Sequence, residues 1–121
     1  MSEKQLNHLK GRAGEIEGEI YLKNHGYQIL ERNVRSPFGE IDLIALHQGT
    51  LVFIEVKSRR DNSFGFPEEA VNRQKQARLA KLASWHLRRY SKIPQVRFDV
   101  LAIQAEGGES GIRLIQNAFE I

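Results

Sequence analysis

The sequence predicts an α/β domain, a mixed β-sheet flanked by helices in the order α-β-β-β-α-β-β. Three observations predict it. Residues 4–24 carry Leu6, Leu9, Ala13, Ile16 and Ile20 at spacings of three and four, the period of an amphipathic helix. The stretch FGEIDLIALHQGTLVFIEVKSRR, Phe38 to Arg60, reads as two apolar strands around a short turn. A second helical pattern ends near Tyr90 and gives way, after Pro94, to another apolar strand.

Each element has its own signal. Gly26 stops the first helix. Gly11, Gly14 and Gly18 fall together on a separate face of it. A helical glycine costs roughly 1 kcal/mol relative to alanine, so that face is expected to pack closely against the sheet. The first strand is expected at Tyr27–Val34, closed by Ser36-Pro37, and the second and third at Gly39–Leu46 and Leu51–Arg59. Gln48-Gly49 suits a two-residue hairpin turn, because glycine accepts positive φ; a four-residue loop closed by Leu46 and Leu51 keeps the same register. Phe64-Gly65-Phe66-Pro67 is a loop leading into the second helix, whose first turn is expected to hold Glu68 and Glu69 at the positive end of the dipole, with a break near Asn72. A strand at Val96–Ile103, a turn at EGGESG and a last strand at Ile112–Gln116 complete the order.

The 121 residues suit one domain, 1–121, with a real core. Cysteine is absent, which excludes disulfides and Cys-ligated zinc or iron–sulfur sites. The opening MSEKQLNHLKGRAGE has no apolar stretch of the signal-peptide kind, and no run approaches the about 18 residues of a membrane span, so a cytoplasmic protein is expected. Net charge is only +3 but unevenly placed. Arg73, Lys75, Arg78, Lys81, Arg88, Arg89 and Lys92 follow one another with no acid among them; they are seven of the 18 basic residues and leave 11 bases against 15 acids elsewhere. A basic helix on an acidic body points to a polyanionic partner.

Asp42 and Glu55 interrupt the apolar strands IDLIAL and LVFIEV, and Lys57 follows. Buried charge is costly unless paired or bound to a metal. With the turn at Gln48-Gly49, Leu46 opposes Leu51, Ile44 opposes Phe53, Asp42 opposes Glu55 and Glu40 opposes Lys57. Alternation then sends Glu40, Asp42, Glu55 and Lys57 from one face. Opposed Cβ atoms are about 4.5–5.5 Å apart, so two carboxylates there repel unless a cation lies between them. Asp42 and Glu55 are therefore expected to hold Mg²⁺, or Mn²⁺, which takes one or two carboxylates and keeps waters for a phosphate substrate. Lys57 reaches the same place and can orient a water or stabilise charge on phosphorus. The competing reading is a solvated charge cluster on the open face of a hairpin. Glu40 is an auxiliary candidate, either at the metal or in a cross-strand ion pair with Lys57.

At these residues the sequence resembles a known family. Gly39-Glu40-Ile41-Asp42-Leu43-Ile44-Ala45 and Val52-Phe53-Ile54-Glu55-Val56-Lys57-Ser58-Arg59 are similar to the YraN-like family of small bacterial proteins. That family is assigned to the PD-(D/E)xK nuclease superfamily and is similar to archaeal Holliday junction resolvases. The likeness runs from about Gly11 to Ile103 and includes Gly14-Glu15, Tyr21-Leu22, Arg32-Asn33, Phe64-Gly65, Ala70-Val71 with Lys75, and Arg97-Phe98-Asp99-Val100. It implies a restriction-endonuclease-like fold and a metal-dependent endonuclease acting on DNA, with branched or flap structures as candidate substrates. Asp42 matches the metal-binding Asp, Glu55 the second acid and Lys57 the catalytic lysine. Glu15 resembles the first-helix acid that completes such metal sites; Glu19, one turn on, is the auxiliary alternative, and its spacing to Lys23 also suits a helix ion pair. Gly18 stands where the family usually has Ala, and Ile41 where the superfamily has Pro. By the resolvase analogy the protein is expected to work as a homodimer.

In the second helix Leu79, Leu82, Ala83, Leu87 and Tyr90 gather on one side, with Arg73, Arg78, Lys81, Arg88, Arg89 and Lys92 broadly opposite. Arg73, Lys75, Arg78, Arg88 and Arg89 are the nucleic-acid-binding candidates, against a plain solvated face. Trp85 falls among them and suits base stacking, a subunit contact or packing at the helix margin. Asp99 is read as structural, paired with a neighbouring base, and the four histidines show no ligand spacing. Two other functions stay open: a nucleic-acid-binding module of the same fold with little turnover, and a protein-interaction domain using the basic helix.

Overall fold

Helix α1 occupies residues 15–24 and stops at Gly26, whose φ of 87° an L side chain rarely adopts. The structure is a computed structural model that describes residues 15–59, 72–104 and 111–120, apart from the side chains of Ser58, Arg59 and Gln104. After α1 come β1 (Gln28–Ser36), β2 (Gly39–His47), β3 (Thr50–Arg59), α2 (Arg73–Leu87), β4 (Gln95–Gln104) and β5 (Ile112–Ile115). The five strands lie in the order β1-β2-β3-β4-β5, antiparallel except for the parallel pair β3–β4. Parallel neighbours cannot be joined by a tight turn, and α2 lies in the crossover between them. This is the predicted αβββαββ arrangement, a restriction-endonuclease-like mixed sheet flanked by helices.

The sheet is apolar on both faces. On one, Leu22 of α1 and Tyr27 pack with Leu43, Ala45, Val52, Ile54, Leu101 and Ile103. On the other, Leu79, Leu82 and Ala83 of α2 pack with Val34, Ile41, Ile44, Leu51, Phe53, Phe98 and Val100. Strands covered on both faces need near-continuous apolar runs, which is why IDLIAL and LVFIEV read as they do.

Helix α1 differs from its expected orientation. Ile16 and Ile20 are 55% and 53% exposed, and Gly18 with Leu22 faces the sheet instead. A Cβ on Gly18 would lie 2.8 Å from Leu101 Cδ2 and 3.0 Å from Ile103 Cδ1. The helix approaches through Gly18 of the expected glycine face, and Ile16 and Ile20 turn outward; Leu6, Leu9, Gly11, Ala13 and Gly14 lie outside the described residues. Helix α2 begins with Asn72 as N-cap, its side chain accepting from Lys75 N–H at 2.9 Å. The loop at 64–67 and the placing of Glu68 and Glu69 lie outside the described residues. The helix ends at Leu87, before the expected Tyr90, and Tyr90 is exposed.

His86 takes the fourth buried position on α2. It is 1% exposed and edge-on to Phe53, with ring centroids 5.6 Å apart. Neither ring nitrogen has a hydrogen-bond partner among the described residues, although Glu31 Oε2 lies 3.5 Å from Nε2. Burial, and then the charge of Arg89, hold the imidazole below its ordinary value of 6.5. The unfolded chain therefore binds the proton more tightly. The stability this neutral ring contributes is complete above pH 6.5 and is lost as pH falls through the lower folded value. Urea midpoints compared at about pH 7.5 and about pH 5 should drop more for the wild type than for His86→Leu. Equal drops would remove His86 as the cause. Among the described residues no helix is long and apolar enough to cross a membrane.

Candidate active site

The β2–β3 hairpin forms in the predicted register. Leu46 faces Leu51 and Ile44 faces Phe53, around Gln48 and Gly49 with φ of 50° and 80°, the two positive values of a type I′ turn. The ladder ends at Leu43–Ile54. Asp42–Glu55 and Glu40–Lys57 are not among its pairs. Instead Val56 N–H donates to Asp42 Oδ2 at 2.7 Å. Strand N–H groups point along the sheet rather than out of it, so Asp42 reaches sideways in the plane at the open end of the hairpin.

The cause lies in β1. Asn33 has a φ of 51°, and the β1–β2 pairing holds Arg32–Leu43 and Val34–Ile41 without an Asn33–Asp42 pair between them. The faces exchange at this point. Leu43 packs on the α1 side, whereas Ile41 and Val34 pack on the α2 side together with Ile44. Uniform alternation would put Ile41 on the face of Leu43. The expectation that Glu40, Asp42, Glu55 and Lys57 leave one face is thereby corrected. By alternation from Ile41, Glu40 turns toward the α1 side, and its ion pair is with Arg35 at 4.0 Å rather than with Lys57. The signal for this exchange was Asn33 itself, since asparagine tolerates the left-handed region better than other non-glycine residues.

On the α1 side Asp42 lines a cleft of about 300 Å³ with Glu15, Ile16, Glu19, Arg32, Asn33, Leu43 and Val56. Arg32 holds Glu19 there: its Nε lies 2.9 Å from both carboxylate oxygens and its Nη2 2.7 Å from Oε1. Of the two α1 acids that line this cleft, Glu15 is the one whose charge raises the Asp42 carboxyl. On the α2 side Glu55 Oε1 lies 2.6 Å from Lys75 Nζ and 3.7 Å from Lys57 Nζ. Lys75 is thus turned inward to the carboxylate.

The two sides are electrostatically linked. Burial pushes the Asp42 carboxyl up to about 6 against the pull of the Val56 N–H, and the charges of Glu55, Glu15 and Glu40 add to the rise. Lys57 is held below its ordinary value, first by the neighbouring Lys75 amine and then by burial, while Glu55 and Asp42 oppose the fall. Carboxylates whose charges raise the proton affinity of Asp42 form a field that favours a cation. No group of three or more His, Cys, Asp or Glu side chains converges as a metal cage among the described residues. The donors are nevertheless hard carboxylate oxygens, which fits an ion that takes one or two carboxylates and completes its shell with water.

The basic residues of α2 divide by surroundings. Arg73, Arg78 and Arg88 are exposed, and Arg78 packs against Gly39, where an added Cβ would lie 3.0 Å from its Cδ. The Arg88 and Arg89 guanidinium groups lie 5.8 and 5.6 Å from the centre of the Trp85 ring. Arg89 also pairs with Glu31 at 3.2 Å.

Comparison with known proteins bears on what this arrangement is. The model of Uncharacterised protein family UPF0102 matches residues 14–103. A UPF0102 protein of Symbiobacterium thermophilum is 51% identical over 90% of this chain and 94% of its own length. One from Syntrophotalea carbinolica is 42% identical over 92% and 91%. The solved structure of Pyrococcus furiosus SfsA in complex with Ca²⁺ aligns with 91% of this chain at 16% identity and a TM-score of 0.32, and the chain spans 62% of that protein's length. Matched along most of its length, over a range that spans positions 42, 55 and 57, the chain belongs to the UPF0102 (YraN) family, which is of the PD-(D/E)xK nuclease-like kind.

Proposed function

We propose that this protein is a metal-dependent endonuclease that hydrolyses phosphodiester bonds in DNA. The observation that carries the reading is geometric: where the hairpin ladder ends, Asp42 is held on the N–H of Val56, which stands between Glu55 and Lys57 in sequence, and the Lys57 amine lies 3.7 Å from the Glu55 carboxylate. Asp42 and Glu55 would hold Mg²⁺ or Mn²⁺, with Glu15 approaching from α1. Such an ion, when bound, supplies Lewis acidity and neutralises the negative charge of the phosphate. Lys57 does the local work of the chain: a lysine of lowered proton affinity can accept a proton at Nζ from a water, or stand as a cation beside the phosphate. Lys75 holds Glu55 in place before any ion arrives. Arg73 and Arg78 on α2 and Arg88 at its C-cap, all exposed, supply the phosphate contacts, whose binding weakens steeply with salt.

The test uses plasmid, flap and four-way-junction DNA with Mg²⁺ or Mn²⁺, and the same mixtures with a chelator. Cutting should require the metal and should fall by about 10²-fold or more in Lys57→Ala, as for loss of a group that stabilises the transition state. Salt-sensitive binding with no cutting would replace the enzyme by a binding module of the same fold. Neither binding nor cutting would leave the basic helix to a protein partner.

A further inference from the structure

A second feature lies along α2 from the carboxylates. Pro37 and Phe38, in the turn between β1 and β2, form with Ala80, Lys81, Ser84, Trp85 and Arg88 an open groove of about 730 Å³. The turn is held firmly. Ser36 Oγ donates to Gly39 O at 2.8 Å and accepts from Phe38 N–H at 3.0 Å, and Gly39, at a φ of 125°, lets the backbone close on Arg78. This fixed turn presents Phe38, which is 41% exposed. Across the groove Trp85 lies against the core edge with two guanidinium groups near its ring. The groove therefore combines aromatic faces with a rim of cations.

From this combination we infer that the groove holds an unpaired nucleobase of the bound strand, its flanking phosphates lying on Lys81, Arg88 and Arg78. The inference rests on the nuclease reading above and narrows its substrate class to nucleic acid with a single-stranded segment near the cut. Continuous duplex shows proteins its phosphates, sugars and base edges; its base faces are stacked inside. Cations alone would serve such a ligand, and an exposed phenylalanine would add nothing. An unpaired base offers a flat face that stacks on aromatic rings whatever its identity, while its backbone meets the cations. The spacing agrees. Lys75 touches Glu55, and Lys81 to Trp85 lie about 9–15 Å farther along the helix at about 1.5 Å per residue. At about 3.4 Å per nucleotide of duplex, the unpaired base lies about three to four paired nucleotides from the carboxylates.

The experiment uses the full chain with a chelator present, so that binding is read without cutting. Fluorescein-labelled oligothymidylate, a duplex of equal length and a flap are titrated by anisotropy, and the quenching of Trp85, the single tryptophan, is followed in parallel. Phe38→Ala should weaken oligothymidylate and flap binding by about 5- to 100-fold and leave duplex within about twofold. Trp85 should be quenched by the single strand and not by the duplex. Trp85→Phe, which keeps a ring, should retain most of the single-strand affinity, and far-ultraviolet circular dichroism checks that both variants fold. Equal losses on single strand and duplex, or none on either, would overturn the inference while leaving the nuclease reading standing. A dimer in sedimentation that Phe38→Ala dissociates would also overturn it and make the occupant a second copy of the chain. Failure of the wild type to bind any of the three DNAs would remove the nuclease reading, and this inference with it.

Discussion

Asp42→Asn should cut DNA at least about a hundredfold more slowly than the wild type and be no less stable. The two effects separate because Asp42 has two roles that asparagine divides. Its Oδ2 accepts the Val56 N–H where the β2–β3 ladder stops, and an amide oxygen can accept the same bond. Its charge, by contrast, is half-buried near Glu55, Glu15 and Glu40; burial first, and then those charges, raise the carboxyl to about 6. Removing that charge relieves repulsion in the protein without metal and deletes a donor the metal needs. Loss of groups that merely orient metal ligands costs about 10–100-fold, so loss of a ligand is expected to cost at least the upper end of that range. The same variant separates a metal site from a solvated charge cluster in a way cutting cannot. Mg²⁺ at ten times its Kd should stabilise the wild type by about 1.4 kcal/mol, and Asp42→Asn should lose that shift. A variant that cuts normally, or that gains the same stability from Mg²⁺, would sink the assignment.

The strand pattern carried most of the fold, and the backbone at one asparagine carried what the pattern missed. Apolar runs fixed β2 and β3, and Gln48-Gly49 fixed their register, because a turn of two positive φ values permits few alternatives. The glycine face of α1 announced a close approach that Gly18 makes to Leu101 and Ile103. The isoleucines of the same helix misled, since periodicity gives a face but not whether the sheet meets it. Period-two alternation also misplaced Glu40. It assumes an unbroken pleat, and one left-handed residue opposite Asp42 exchanges the faces of both strands. Arg32 as the clamp on Glu19, and Lys75 as the cation on Glu55, depend on which helix face meets which strand end. No local pattern encodes that. Phe38 escaped notice because a turn phenylalanine beside proline reads as a strand margin until the helix opposite it is known to carry Trp85.

Asp99→Ala should lower stability by about 3–5 kcal/mol, the cost of removing one partner from a buried ion pair. Asp99 is 1% exposed and accepts from four donors: Arg97 Nε at 2.8 Å, Arg97 Nη2 at 2.9 Å, Tyr27 OH at 2.8 Å and the Asn117 N–H at 2.9 Å. The bond to Arg97 is the paired fork that guanidinium and carboxylate geometry favour. Arg97 Nη2 also donates to Tyr27 OH at 2.8 Å and lies 3.0 Å from His47 Nδ1, and Gln116 Nε2 donates to Tyr27 OH at 2.9 Å. This one carboxylate therefore ties β4 to the entrance of β1, to the end of β2 and to the turn after β5. Burial, before any hydrogen bond, pushes the Tyr27 phenol up to about 12, so it stays a donor through the neutral range. Alanine would leave a guanidinium, a phenol and a backbone N–H to find water in a dry place. The midpoint of thermal unfolding should fall by about 10–20 °C for a domain of this size. Asp99→Asn, which keeps the acceptor and drops the charge, should fall between the two. Asp99 stands opposite Ile54 in the β3–β4 pairing, and none of its four bonds reaches Asp42 or Glu55, so the loss should appear in unfolding while cutting at low temperature survives. Full stability in Asp99→Ala would mean that the network is satisfied without its centre, and the account of how the sheet ends are held would be wrong.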